Sequence, residues 1–161
     1  MELINEMLLP CACTFAASIG FALLFNLKGK NILLAAVGGV LCQIVFMPLE
    51  SYFSSVMPAY FLSAAAITIY SEIMAKIMKE PAPVYLVVSF IPLVPGGEIY
   101  FAMISSFTGN TDVFMTKLLH TLAIAGSVAM GVLTVTSLIR AYKLSSLYVK
   151  QHRKRLSRKN S

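Results

Sequence analysis

Few side chains in this sequence could do chemistry, and the most suggestive ones interrupt an apolar run. The stretch FIPLVPGGEIYFAMI, Phe90 to Ile104, sets Pro92, Pro95, Gly96, Gly97 and Glu98 among aliphatic and aromatic residues. Pro92 has no amide to donate and its ring crowds the preceding turn; Pro95 repeats this three residues later. Gly96 and Gly97 loosen the backbone further. The pattern predicts one half-helix ending near Ile91 and a second starting near Gly97. The first N–H groups of a helix lack intrahelical partners and carry its positive dipole end, so such a break can hold an anionic group inside a membrane protein. The plainer alternative is a proline kink packed against neighbouring helices.

Glu98 falls on the first turn of the second half-helix. A carboxylate at membrane depth is expensive unless solvated or paired. It is either a proton carrier or counter-ion for an ammonium group, or a capping carboxylate in a wet vestibule. Elsewhere, Gln43 lies deep in an apolar segment and could bond across helices or face a substrate path. Asn26 ends the first apolar run as a candidate cap. Glu72 precedes Lys76 by four residues, the favourable order for a helical ion pair. His120, beside Lys117, reads as an interfacial histidine.

Enzyme chemistry is not indicated. Only two histidines exist, and there is no nucleophile elbow, phosphate-cradling glycine loop, HExxH or paired-acid motif. Cys11, Cys13 and Cys42 have no metal-ligand spacing and read as small buried hydrophobes. Neither a metal nor another cofactor is expected.

These residues require elements that span a membrane. The chain has 161 residues, 58% of them hydrophobic and only 12% charged, about half the charge of an ordinary soluble domain. Apolar runs at about 8–26, 31–48, 57–78, 83–107 and 118–140 each approach the ~20 residues that a spanning helix needs. The expected fold is therefore all-α: a polytopic bundle of five transmembrane helices, the fourth broken at Pro92–Gly97. A transmembrane domain occupies 1–145 and a basic cytoplasmic tail 146–161. Small residues four apart, Ala35/Gly39 and Ser127/Gly131, suit close helix approach.

Charge sets the expected orientation. The net charge is +6, and seven of the thirteen basic residues fall between Lys143 and Lys159. That run suits attraction to anionic lipid beside a membrane; no folded basic domain suggests nucleic-acid binding. With the tail in the cytoplasm, twelve of thirteen Lys and Arg lie inside, leaving only Lys117, as the positive-inside rule favours. The N-terminus is then outside. Glu2 and Glu6 make the start unlike a basic signal-peptide leader, so the first run is expected to be retained.

GFALLFN at Gly20–Asn26, IPLVPGG at Ile91–Gly97 and YFAMIS at Tyr100–Ser105 together resemble the threonine/serine exporter family, in order and spacing from about Phe15 to Ile139. The closer resemblance is to the small subunit of its split, two-component form. This implies a five-span half-transporter in a bacterial inner membrane, working with a second membrane subunit that carries the other half, and a possible homo-oligomer. It also implies export of threonine/serine-type amino acids, or of succinate or a related dicarboxylate, driven by the proton-motive force. By position, Pro92, Pro95 and Gly96 match the family break, and Gly20, Phe21 and Asn26 match the end of the first span. Glu98 departs from the pattern, in which a small or uncharged residue commonly follows the glycines; ionised, it would repel a dicarboxylate and could pair with an ammonium. The candidate substrate-binding residues are Pro92, Pro95, Gly96, Gly97, Glu98, Tyr100, Asn26 and Gln43. A non-transporting scaffold subunit, whose break only shapes an interface, is the competing reading.

Overall fold

The computed structural model describes the backbone of residues 2–159 and the side chains of residues 7–145. The described chain consists of helices: α1 (Glu2–Leu24), α2 (Lys30–Tyr52), α3 (Val56–Met78), α4 (Ala82–Ser89), a 3-10 turn at Ile91–Leu93, α5 (Gly96–Phe107) and α6 (Thr111–Lys159). Helices α1, α2, α3 and the first part of α6 are each long and apolar enough to cross a membrane; α4 and α5 qualify together as one span bent by 47°.

Local chemistry sets the turns. After α1, Asn26 adopts a left-handed conformation (φ 56°) while the Leu27 amide donates to the Ala22 carbonyl at 3.0 Å, closing the helix in a Schellman-type cap. Asn tolerates this backbone better than most residues. The same cap ends α3 with Lys79 (φ 59°) in the left-handed position and the Glu80 amide on the Ala75 carbonyl at 3.1 Å. Pro81 and Pro83 flank the first residue of α4, where a missing N–H costs nothing.

Packing is close because small residues occupy the crossings. A Cβ on Gly39 would collide with Ser18 Oγ of α1, and one on Gly38 with Ser89 Oγ of α4 and the Tyr70 ring of α3. A Cβ on Gly131 would lie 2.5 Å from the Phe61 carbonyl oxygen and 3.0 Å from the Ala64 Cβ, so α6 meets α3 nearly backbone to backbone. Polar side chains tie the same crossings to α2. The Tyr70 hydroxyl donates to the Leu34 carbonyl (2.7 Å), the Tyr85 hydroxyl to Asn31 Oδ1 (2.9 Å), and the Ser89 hydroxyl to the Ala35 carbonyl (3.2 Å). Between them lie two apolar clusters. One includes Cys42, Phe46, Ile67 and Leu93; the other includes Ala22, Ala35, Tyr85 and Val88.

Two contacts fix the register of α6 against α3. Gly131 faces Phe61 to Ala65, and Lys143 Nζ reaches Glu72 Oε2 at 3.2 Å. Both positions advance together, so α3 and α6 run parallel. A parallel pair separated by α4 and α5 requires the bent pair to carry the chain back across the bundle. The break is thus a through-crossing and not a re-entrant loop, giving five crossings.

The same register changes the expected ion pair at Glu72. Its carboxylate is bound by Lys143 of α6 and not by Lys76, which lies exposed. Glu72 sits on the face of α3 that packs against α6, and a cation already on that neighbour displaces the helical i+4 partner. The cysteines also divide: Cys42 is buried, Cys11 half-buried, and Cys13 exposed on the apolar surface of α1.

Candidate functional site

The break forms as the proline and glycine spacing predicts, with its details set by hydrogen bonding. Helix α4 closes with the Phe90 amide on the Leu86 carbonyl at 3.1 Å. The 3-10 turn follows, with Leu93 N–H on the Phe90 carbonyl (2.8 Å) and Val94 N–H on the Ile91 carbonyl (3.1 Å). Val94 is extended, and Gly96 N–H folds back on the Val94 carbonyl at 2.7 Å. Helix α5 then starts, its first regular bond running from Ile99 N–H to the Pro95 carbonyl at 3.1 Å. Among the described residues the N–H groups of Gly97 and Glu98 have no backbone partner. They are approachable: Gly96 and Gly97 are exposed, and a Cβ on either would meet nothing within 4 Å.

Glu98 makes no cap to its own helix. Its Oε2 accepts a hydrogen bond from Lys117 Nζ at 2.9 Å, and His120 Nδ1 lies 3.8 Å from the same oxygen. The three side chains are about one-third exposed: 28% for Glu98, 38% for Lys117 and 40% for His120. The cluster therefore pairs a partly exposed carboxylate with an ammonium group and an imidazole.

Why this cluster forms is a matter of hairpin geometry. Thr108 to Asn110 join α5 to α6, and so short a connection makes the two helices antiparallel neighbours. Glu98 and Lys117, each some turns from the loop, then come level. His120 follows Lys117 by three residues and shares its face. The sequence holds this signal in the loop length, although Lys117 and His120 read separately as interfacial residues.

The break's depth follows from the α6 register. Val56, the first residue of α3, lies near the level of Gly126. Residues 111–125 of α6 therefore extend roughly 20 Å beyond α3 at 1.5 Å per residue, and α5 packs along them with only sparse contact elsewhere among the described residues. Pro92 to Pro95 lie near the end of the core, and Glu98 with Lys117 just past it.

Beneath the break is an open groove of about 580 Å³ between α4 and α6, lined by Leu86, Phe90, Leu93, Pro95, Val128 and Val132 among others. Its lining is apolar, so it suits a hydrocarbon chain or a helix better than a hydrated solute. Of the eight candidate residues, Pro92, Pro95, Gly96, Gly97 and Glu98 gather at the break. Tyr100 is exposed on the next turn of α5, stacked edge-on with Phe101 at 5.7 Å. Gln43 is half-buried within α2, and Asn26 is exposed in the α1–α2 turn at the opposite end of the bundle. The fold thus joins one contiguous set at the break and leaves Asn26 as a helix cap. Among the described residues no group of three metal-ligating side chains occurs.

The sequence profile described as Threonine/Serine exporter, ThrE matches residues 10–138. No curated protein and no solved structure matches the chain. A match over most of the sequence, on a helical membrane bundle whose fourth crossing breaks at Pro92–Gly97, means that the chain belongs to the threonine/serine exporter family of transporters.

Proposed function

We propose that this chain is one half of a secondary exporter of small polar amino acids of the threonine/serine type, completed by a second membrane subunit and driven by the proton-motive force. The observation carrying this reading is the broken crossing: two bare amides and a carboxylate begin α5 at the edge of the bundle, where water and a solute can reach them. The bundle end with Lys28, Lys30, Lys76, Lys79, Arg140 and Lys143 is its cytoplasmic end, by the excess of positive charge there. This puts the N-terminus and the α5–α6 hairpin outside a bacterial inner membrane, and the basic tail against anionic lipid inside. A five-crossing bundle with its apolar groove open on one side is suited to a partner half; a second copy of this chain is the other occupant to test.

Efflux of labelled threonine from cells carrying this chain with its partner subunit tests the reading. Expected is export that collapses with an uncoupler and is lost when either subunit is deleted. Replacing Pro92 and Pro95 together by alanine lets α4 and α5 join and reduces export at least tenfold. Full activity from the isolated chain in liposomes, or unchanged export after the double replacement, defeats it.

A further inference from the structure

The Glu98–Lys117 pair presents one negative and one positive group, side by side, at the only place where the break exposes unpartnered amides among the described residues. We propose that this pair is the recognition site for the two charges of a zwitterionic amino acid: Lys117 takes its carboxylate and Glu98 its ammonium. The assignment rests on the exporter reading above and names the residues that read the substrate.

Several observations carry it. The pair is about one-third exposed, and ion pairs of that kind hold weakly, so a ligand can open it at small cost. Lys117 carries its charge on a flexible four-carbon stem and can swing aside while Glu98 stays on the first turn of α5. An α-amino acid has its ammonium and carboxylate adjacent. Inserted between the parted side chains, it restores a partner to each, so no charge is left stranded. The bare amides of Gly97 and Glu98 lie on the same turn and favour the substrate's carboxylate end. His120 Nδ1, 3.8 Å from Glu98 Oε2, flanks the ammonium side. A dicarboxylate meets the opposite situation: its second carboxylate confronts Glu98. The charge match therefore selects zwitterions over dianions, although Lys117 alone would attract both.

Three ligands test the assignment in counterflow of labelled L-threonine by the complete exporter. Unlabelled L-threonine has both charges, its methyl ester lacks the carboxylate, and N-acetyl-L-threonine lacks the ammonium. In the unaltered protein both derivatives should compete at least tenfold more weakly than threonine. In Lys117→Gln the ester should compete as well as threonine while N-acetyl-threonine stays weak; in Glu98→Gln the reverse should hold. If Lys117→Gln keeps the unaltered protein's preference for a free carboxylate, the assignment is wrong. Should that variant fail to fold, Lys117→Arg, which keeps the cation, must preserve the ranking of all three; a folded Lys117→Arg that loses it overturns the proposal equally. Absence of threonine counterflow in the unaltered protein defeats the exporter reading and this assignment with it. Counterflow with an unaltered ranking in both Gln variants defeats the assignment alone.

Discussion

The backbone-to-backbone contact at Gly131 offers the sharpest test of the fold. Adding one methyl group at Gly131 would place it 2.5 Å from the Phe61 carbonyl oxygen, 3.0 Å from the Ala64 Cβ and 3.2 Å from the Ala65 amide nitrogen. A carbon normally stays about 3.3–3.6 Å from a carbonyl oxygen, so α3 and α6 must part by roughly 1 Å. No side chain can rotate away, because two of the three atoms are backbone. Overpacking of a dense interior costs about 1–3 kcal/mol, and the rigid neighbours here argue for the upper end. Alanine's better helix propensity returns up to about 1 kcal/mol, leaving Gly131→Ala destabilised by about 2 kcal/mol. Gly126, five residues earlier on α6, is the control: a Cβ there meets nothing within 4 Å, so Gly126→Ala keeps only the propensity gain. Unfolding in mixed micelles of increasing SDS fraction should separate the two variants by about 3 kcal/mol. Coincident transitions for both would mean that α3 and α6 do not cross at Gly131, and the parallel register and five-crossing count would lose their basis.

Three further outcomes are expected in the same assay. Tyr70→Phe removes the bond to the Leu34 carbonyl and should cost about 0.5–1 kcal/mol, the usual worth of a bond between membrane helices. Glu72→Gln breaks the pair with Lys143, which is half-exposed; the loss should stay below about 1 kcal/mol, and a Lys143→Gln second change should add almost nothing. Lys79→Gly relieves a left-handed backbone that costs a side-chain-bearing residue roughly 1 kcal/mol and should stabilise the protein by about that much, with any loss of stability counting against the cap at the end of α3.

What could be read from the sequence divides by how local its cause is. Pro92, Pro95 and the paired glycines act on their own backbone, so the break was legible without any neighbour. The spans were equally legible, because lipid demands a length and an apolarity that each run displays by itself. Asn26 announced a helix end for the same reason. Glu72 was legible as a paired carboxylate but not as the partner of Lys143, since that contact depends on how α6 slides along α3. The partner of Glu98 required one more step, folding α5 onto α6 across a short loop. The bonds from Tyr70 and Ser89 to α2 depend on Gly38 admitting two side chains at once, a three-helix coincidence with no sequence pattern. The apolar groove beneath the break likewise exists only once α4 bends away from α6.

The two ion pairs that α6 makes among the described residues also bear on how charge could cross this bundle. From Lys117 to Lys143 the helix is about 39 Å long at 1.5 Å per residue, more than a hydrocarbon core of about 30 Å. With its interfacial regions the bilayer is about 40–45 Å thick, so both pairs can lie at the two membrane boundaries, sparing Glu98 and Glu72 the cost of deep burial. Glu98 with Lys117 is then a station at the face opposite the basic end, and not a carrier at mid-depth. At mid-depth between the two stations the described residues offer hydroxyls such as Ser63, Ser71 and Tyr70 and the amide of Gln43, while the carboxylate of Glu50 lies exposed at the end of α2, level with the start of α3. Hydroxyls can line a hydrated path without holding a proton at physiological pH. If export is proton-coupled, the titratable group at mid-depth must come from another polypeptide facing the open side of this bundle, and an acidic residue on that partner should be indispensable for coupling while leaving the folding of this chain untouched.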